Sequence, residues 1–457
     1  MGSALTVAIC LAGCTMPWQK QWPAHQVPVV ELPPQPPTPQ PLSIDRSWWT
    51  AFNDATLNDL VDEALANNLD LAKAAANIAE ARANAGAAIA MSSPRVDALG
   101  GASVKKRELQ VLNRDANRTT AAVNAGIGIG WEIDLWGRIE QLNQAALARL
   151  ASSEHTRNAT ALSISSAVVE TYFRLLALET NLRITKDAAR NLSEVAELER
   201  RRWKAEVGTQ LAYTQSLAEY AGVRTRIPGI EAAIVRTQLA LAILVGRTPA
   251  QMAAPFARRG ALPSLPPIPQ EFDSTLLLRR PDVASAEQML AAANADLNAA
   301  QAERLPRLNL SLLAGLIATS SSVVTGFPLY ADLSSGLSAP IYDGGLADSR
   351  VEGASARKDK AIAHYRYTVS LAFRDIHAAM TDRAAGDREV ETARKALKIH
   401  EQALALTEKS YEAGRSSKFE VLSKTIEILN AQVALTDARL SQFIASSEFF
   451  KAIGGGF

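Results

Sequence analysis

The chain has 457 residues, enough for two or three ordinary domains or one elongated one. Its 48 Lys and Arg are balanced by 47 Asp and Glu, and a formal charge of +1 gives no electrostatic ground for nucleic acid as a partner. Hydrophobic residues supply 47% but aromatics only 6%. That composition suits long helices packed at close range better than a core built on aromatic anchors. Cys10 and Cys14 are the whole cysteine complement, which excludes a disulfide framework and a Cys-based zinc site. Beyond residue 20 no run of eighteen apolar residues occurs, which by that criterion excludes a helical membrane span.

Residues 1–13 read as a secretory signal, a short apolar run ending in small residues. Leu11-Ala12-Gly13-Cys14 resembles the bacterial lipobox, although no Lys or Arg precedes Lys20. The resemblance implies diacylglycerol and an N-acyl chain on Cys14, a stable anchor at about 0.8 kcal/mol per buried methylene. Thr15, standing where an Asp would imply inner-membrane retention, points to the outer membrane. Residues 14–45 follow as an anchored, extended segment, with eight prolines between Pro23 and Pro41.

The remainder reads as two structural repeats, 46–250 and 276–457, joined by a linker over 251–275. Asn68-Leu69-Asp70-Leu71 recurs as Arg280-Pro281-Asp282-Val283, and Pro94-Arg95 as Pro306-Arg307. Leu135-Trp136-Gly137 recurs as Ile341-Tyr342-Asp343-Gly344, Gly208 as Gly414, and Leu244-Val245-Gly246 as Ala452-Ile453-Gly454. Each repeat is predicted to run helix, two strands, then a long helical hairpin. Between Gly137 and Gly208 no Gly or Pro interrupts the chain, and a continuous helix there would reach ~105 Å. Phe419, Leu422, Ile426, Leu429 and Val433 step by three and four, a coiled-coil seam.

Strands are read from alternation. Val123, Ala125, Ile127, Ile129, Trp131 and Ile133 alternate with polar or glycine positions. Leu308, Leu310 and Leu312 do so in the second repeat, as do Leu329, Ala331, Leu333, Leu337 and Ile341. A period of two sets an apolar face against a polar one, and roughly ten residues is the length of a tilted strand crossing a bilayer. Four strands cannot enclose a conduit, and open edges cannot face lipid. If these strands enter a membrane, several chains must close one barrel.

These landmarks resemble the outer-membrane factor family of TolC-like channels, in particular the lipoprotein (NodT-type) branch serving RND multidrug efflux. The resemblance covers about Trp48 to Gly456. Trp131-Glu132-Ile133-Asp134-Leu135-Trp136-Gly137-Arg138 and Ala339-Pro340-Ile341-Tyr342-Asp343-Gly344-Gly345 look like its two strand-to-helix transitions, and Tyr411-Glu412-Ala413-Gly414 like a periplasmic turn. It implies a mainly α fold with a membrane β-barrel: four strands and long helical hairpins per chain, with a homotrimer closing a 12-stranded barrel above a helical tunnel. The implied function is the passive outer-membrane duct of a tripartite efflux pump, with a periplasmic adaptor and an inner-membrane RND-type transporter as partners. The hairpin tips Val207, Gly208 and Thr209, and Ala413, Gly414, Arg415 and Ser416, would dock the adaptor, with Gly208 and Gly414 as left-handed caps. Tyr411, Phe419, Glu420 and Ser423, with Tyr213 and Thr214, take the positions of the periplasmic gate. Ser423 departs from the family's usual Asp.

No catalytic, cofactor or metal motif emerges. The five histidines lack ligand spacing, and Gly126-Ile127-Gly128-Ile129-Gly130 belongs to an alternating strand and not to a phosphate loop. Charged runs such as Glu199-Arg200-Arg201-Arg202 read as solvated helix faces. The reading is therefore a non-enzymatic channel. The alternatives are a pore-less, lipid-anchored periplasmic coiled-coil scaffold and a conduit for type I protein secretion.

Overall fold

The computed structural model describes residues 26, 47–111, 114–248, 250–251, 262–263, 265–266, 279–320 and 328–456, with the backbone alone for 107–111, 114–119 and 319–320. Cys14, nearly all of the Pro-rich segment and most of the 251–275 linker lie outside these residues. In the first half a 3-10 turn (Trp48–Phe52) precedes helices α1 (Ala55–Asn67) and α2 (Leu69–Ala90) and strands β1 (Arg95–Val111) and β2 (Arg114–Ile133). Helices α3 (Arg138–Lys204), α4 (Gln210–Arg224) and α5 (Ile227–Leu244) complete it. The second half holds α6 (Pro281–Ala302), β3 (Arg307–Ser320), β4 (Leu329–Ser338), α7 (Leu346–Glu412) and α8 (Lys418–Ala452). α3 and α7 are each 67 residues long; α3 contains neither Gly nor Pro, and α7 contains no Pro and only two glycines, Gly353 and Gly386.

The halves differ in the returning arm. α8 runs unbroken for 35 residues, whereas the first half returns as two helices separated at Thr225–Arg226, with Pro228 in the first turn of α5. Proline lacks the N–H that a continuous helix would need there, and it starts a new helix instead. The single returning helix expected for the first hairpin is corrected accordingly.

The chain forms two compact units, and the boundary falls within α2, α3, α6 and α7. One unit holds the sheet, 78–152 and 287–364; the other holds 29–77, 153–286 and 365–457. In the sheet unit the four strands are antiparallel in the order β1-β2-β3-β4. β1, β2 and β3, of 17, 20 and 14 residues, exceed the expected ten or so, and β4 has 10. β4 ends at Ser338, so Ile341, expected to continue its alternation, lies beyond the strand and fully exposed.

Register decides what this sheet is. Residues directly opposite one another share a face. Val96 faces Ile129, which faces Leu312, which faces Leu333. The rows on either side are alike: Ala98, Ile127, Ala314 and Ala331 form one, and Leu308 pairs with both Ile133 and Leu337. The three independently alternating stretches thus fuse into one apolar face, with Ser335 within it and Ser320 in its outermost row as polar positions. Val96, Val123, Ile127, Leu329, Leu333 and Leu337 are more than half exposed on it. The opposite face carries Asp97, Asn124, Glu132, Asn309, Asp332 and Ser334, with glycines along β2. At Gly128 a Cβ would lie 2.8 Å from Leu99 Cδ1 and 3.2 Å from Leu313 Cδ2, so these two leucines close over the glycine.

The strand-to-helix joints are fixed by hydrogen bonds, one of which crosses between the halves. The Trp136 indole donates to the carbonyl of Pro306 at 2.6 Å, and that of Trp131 to Ser92 at 2.9 Å. Arg138 grips both Glu132 oxygens at 2.9 Å. Asp343 accepts from the Ala347 and Gly345 amides at 2.8 and 2.9 Å, and the Ala347 bond leads in holding its carboxyl below the usual range.

In the second unit the aromatics are few but concentrated, which modifies the expectation from composition. Trp48 stacks on Phe450 with centroids 5.3 Å apart, and Phe173 meets Phe443 at 4.3 Å within a cluster that also buries Trp49, Phe52 and Tyr172. Buried Asp54 caps α1 through the amides of Thr56 and Leu57 and accepts from the Tyr172 hydroxyl at 3.0 Å. By mean hydropathy two helical stretches reach the apolarity of a membrane span, Arg138–Lys204 and Gln210–Leu244, which a count of consecutive apolar residues misses. The apolar window of the first is 67% buried, as in a core helix, but that of the second is only 17% buried. Leu211, Val235 and Ile243 lie exposed along the Gln210–Leu244 stretch.

Each half ends on a glycine in the left-handed region. Gly246 (φ 75°) and Gly454 (φ 93°) are followed by amides reaching back to the Ala242 and Phe450 carbonyls. A Cβ at Gly246 would stand 2.2 Å from the Asn67 carbonyl oxygen. Gly246→Ala therefore combines a positive φ with a backbone clash. It is expected to destabilise the protein by more than about 1 kcal/mol, read as a lower urea midpoint with unchanged m-value.

Candidate functional site

The hairpin tips lie between α3 and α4 and between α7 and α8. α7 ends with Gly414 at φ 70°, its amide bonded to the Tyr411 carbonyl at 2.9 Å and the Arg415 amide to the Ser410 carbonyl at 2.8 Å. This is the double bond pattern of a left-handed helix cap. α3 ends the same way, with amides of Glu206 and Val207 bonded to carbonyls of Trp203 and Arg202 at 3.0 Å each. The left-handed residue there is Glu206, at φ 60°. Gly208 is not in that conformation, which corrects its assignment as the cap and as the partner of Gly414. The matching pairs are Glu206 with Gly414 and the helix caps Thr209 with Ser417, each accepting one amide of the next helix. Gly208 is required for another reason. A Cβ there would lie 2.9 Å from Arg202 Cβ and 3.2 Å from the Arg202 carbonyl carbon. Val207 and Thr209, like Ala413, Gly414 and Arg415, are exposed, and Ser416 is half-buried with its hydroxyl 3.4 Å from the Thr407 carbonyl.

Behind the tips, α3, α4 and α8 share a packed seam. Leu192, Val223, Leu422 and Leu429 are buried in it, with Ile426 and Val433 against them. Phe419, expected to begin this seam, is 42% exposed and does not join it. Glu420 is exposed beside it, and Ser423 is half-buried. Tyr213 stacks on Trp203 with centroids 5.7 Å apart, and the Thr214 hydroxyl donates to the Gln210 carbonyl at 2.9 Å.

Tyr411 holds the two hairpins together. The Arg202 guanidinium donates to its hydroxyl at 3.1 Å and to Glu199 at 3.2 Å, and Lys418 lies 5.1 Å above its ring. The Tyr411 hydroxyl, ahead of Glu199, raises the already high pKa of Arg202, which therefore stays charged. Sequence reasoning passed over Arg202 and Glu199 as a solvated charge run. Glu199 is in fact 3% exposed. Buried Thr185, Ala189, Leu192 and Ala196 step by four and three, and the next step lands on Glu199. That periodicity was the available signal. Its neighbour Glu197, by contrast, pairs with Arg200 on the surface, a bond that lowers its pKa.

Among the described residues no group of His, Cys, Asp and Glu is placed to hold a metal ion. The chain matches the outer membrane efflux protein family over residues 60–247 and 274–455. It is 32% identical over 419 residues to the pyoverdine export outer membrane protein OpmQ of Pseudomonas putida, covering 90% of this chain and 88% of the relative. To the probable outer membrane lipoprotein SilC of Salmonella typhimurium it is 25% identical, covering 99% and 98%. The outer-membrane channel OprN superposes with a TM-score of 0.85 at 25% identity, covering 95% and 99%.

The two tips differ in one testable way. A left-handed Glu carries a steric penalty that Gly does not, of order 1 kcal/mol. Glu206→Gly is expected to slow amide exchange at Val207 by roughly fivefold, measured by hydrogen exchange, while Gly208→Ala accelerates it. The apolar sheet face, the paired long hairpins and these similarities support one conclusion: the chain belongs to the outer membrane efflux protein family, and it is an outer-membrane component of an efflux pump with the TolC-like channel fold.

Proposed function

We propose that three copies of this chain close one twelve-stranded barrel, a passive duct continued by a tunnel of α-helices. The observation that carries this reading is the sheet itself. Its apolar face spans nine residues on β1, Val96 to Val104, and nine on β4, Leu329 to Leu337. Tilted strands of that length cross a hydrocarbon layer. Yet β1 and β4 each pair on one side only, and unpaired backbone groups are not tolerated in lipid. β4 of one copy pairing with β1 of the next removes every edge. The exposed apolar residues along α4 and α5 fit the same assembly, since a neighbouring copy would cover them.

The duct would receive small toxic compounds from an inner-membrane RND-type transporter through a periplasmic adaptor. The tips, Val207 to Thr209 and Ala413 to Ser416, would be the adaptor's docking surface. Diacylglycerol and an N-acyl chain on Cys14 would add a lipid anchor, in keeping with the lipoprotein name of the SilC relative. Threefold symmetry would bring three Phe419 rings and three Glu420 carboxylates together as the gate, with Tyr411, Ser423, Tyr213 and Thr214 in its wall. An exposed ring outside the coiled-coil seam is what a water-excluding constriction needs, and a carboxylate ring attracts cations. The Arg202–Tyr411 bond would latch the closed state.

Heat-modifiable gel mobility combined with planar-bilayer recording tests the assembly. A trimer that conducts is expected, and a monomer, or a trimer that inserts without conducting, overturns the reading. In the same recordings Phe419→Ala with Glu420→Ala is expected to raise the resting conductance and lower cation preference. Tyr411→Phe, which removes the acceptor for Arg202, should raise open probability alone.

A further inference from the structure

One helix seat occurs twice in the repeat scheme and is filled once in this chain. α6 is bonded on one side to α7, through Glu303–Arg350 at 2.9 Å. On the other side it is bonded to α3, through Asp296–Arg149 and through Asn298, which donates to Gln141 at 2.9 Å. Aligning Pro94 with Pro306 makes α2 the counterpart of α6. Aligning the first residues of the two 67-residue helices, Arg138 and Leu346, makes α7 the counterpart of α3. Ala295, Ala299 and Ala302 are buried on α6, but their counterparts on α2, Ala83, Ala87 and Ala90, are all exposed. From Ile78 to Ala90 only Ala85 of α2 is buried. The place on α2 that corresponds to the seat of α3 on α6 is therefore open.

The side chains flanking this place are complementary. The counterpart of Arg149 is Arg357, and that of Asp296 is Asn84, with Glu80 one turn earlier on α2. Arg357 lines the same cleft as Asp296 and Glu303, yet among the described residues neither it nor Glu80 has a hydrogen bond or ion pair. Glu80, Asn84 and Arg357 all stand exposed. The counterparts of Gln141 and Asn298 are Ser349 and Gly86, both smaller, and a Cβ at Gly86 would meet nothing within 4 Å. We propose that α2 of one copy takes, against α7 of the adjacent copy, the seat that α6 takes against α3, with Arg357 bridging Glu80 and Asn84 across the boundary. Connectivity identifies the occupant: β4 leads into α7 and α2 leads into β1, so an edge pairing of β4 with β1 brings these two helices together. The two faces are different surfaces of one chain, a head-to-tail contact of the kind that closes rings. The inference rests on the trimer proposed above and names the surface and the ion pair that close its helical wall.

Charge reversal in the full chain in detergent tests the pairing, read as the rate at which trimers dissociate on heating and as helix content. Arg357→Glu and Glu80→Arg, each alone, are expected to speed dissociation by roughly tenfold, because every trimer loses one exposed pair at each of its boundaries. Helix content should stay unchanged, and the two substitutions together should restore the parent rate. Cross-linking tests the seat itself: Gly86→Cys with Ser349→Cys, treated with a short bismaleimide, should give covalent dimers and trimers that neither single cysteine variant gives. Trimers indifferent to both reversals, or a double variant no slower than the singles, would overturn the Arg357–Glu80 pairing. Trimers without interchain cross-links would overturn the seat and leave this face of α2 to another occupant. A parent that never forms a trimer overturns the trimeric reading instead, so the two failures are distinguishable.

Discussion

An unpaired strand edge cannot stand in lipid, and the rest of the molecule is organised around that constraint. Each peptide group buried without a partner costs about as much as a lost hydrogen bond. A sheet with an apolar face more than half exposed along three of its strands therefore cannot be a finished structure in one chain. Water would penalise the face, and lipid would penalise the edges. The efflux family to which the chain belongs inhabits the outer membrane, where a closed barrel meets both demands at once.

The two halves use one scheme with different chemistry at its joints. Where α2 begins, Asn68 donates through its amide to the Leu244 carbonyl at 2.8 Å and accepts from the Asp70 and Leu71 amides. At the matching place Arg280 donates to the Ala452 carbonyl at 3.0 Å and pairs with Asp282 and Asp375. In both halves a side chain at the start of one helix satisfies a carbonyl orphaned at the end of another. Burial alone would depress the charge of Arg280, but its two carboxylate partners outweigh that penalty and raise its pKa further. A neutral amide and a charged guanidinium thus solve the same end-of-helix problem, which is why the joint could be located in the sequence although its residues differ.

What the sequence revealed and what it concealed divide along physical lines. Strand alternation, the absence of Gly and Pro from α3 and the paired landmarks are local properties of the chain, and each was readable. The register that fuses Ile129 with Leu312 and Leu333 required the sheet. The position of the left-handed cap was misread because glycine is the usual occupant, and here Glu206 accepts the strain while Gly208 serves a close approach to Arg202. Phe419 fits the spacing of the seam, but α8 turns it outward one step before Leu422 enters the core. Periodicity fixes which residues share a helix face. It does not say where the partner helix stops.

The latch proposed between the hairpins sets a scale for opening. A hydrogen bond to a charged donor contributes about 1.5 to 3 kcal/mol when buried, and the 41% exposure of the Arg202 side chain places this one nearer 1 kcal/mol. Three copies in a trimer would then hold the closed state by roughly 3 kcal/mol, about a hundredfold in the closed-to-open ratio. That is strong enough to keep an idle duct shut and weak enough for an adaptor's differential contacts at the tips to overcome. Buried Glu199 limits how far the latch can relax, because its carboxylate holds the Arg202 guanidinium in place after Tyr411 departs. On this account closure is reversible because the cation stays put and only the aromatic partner moves.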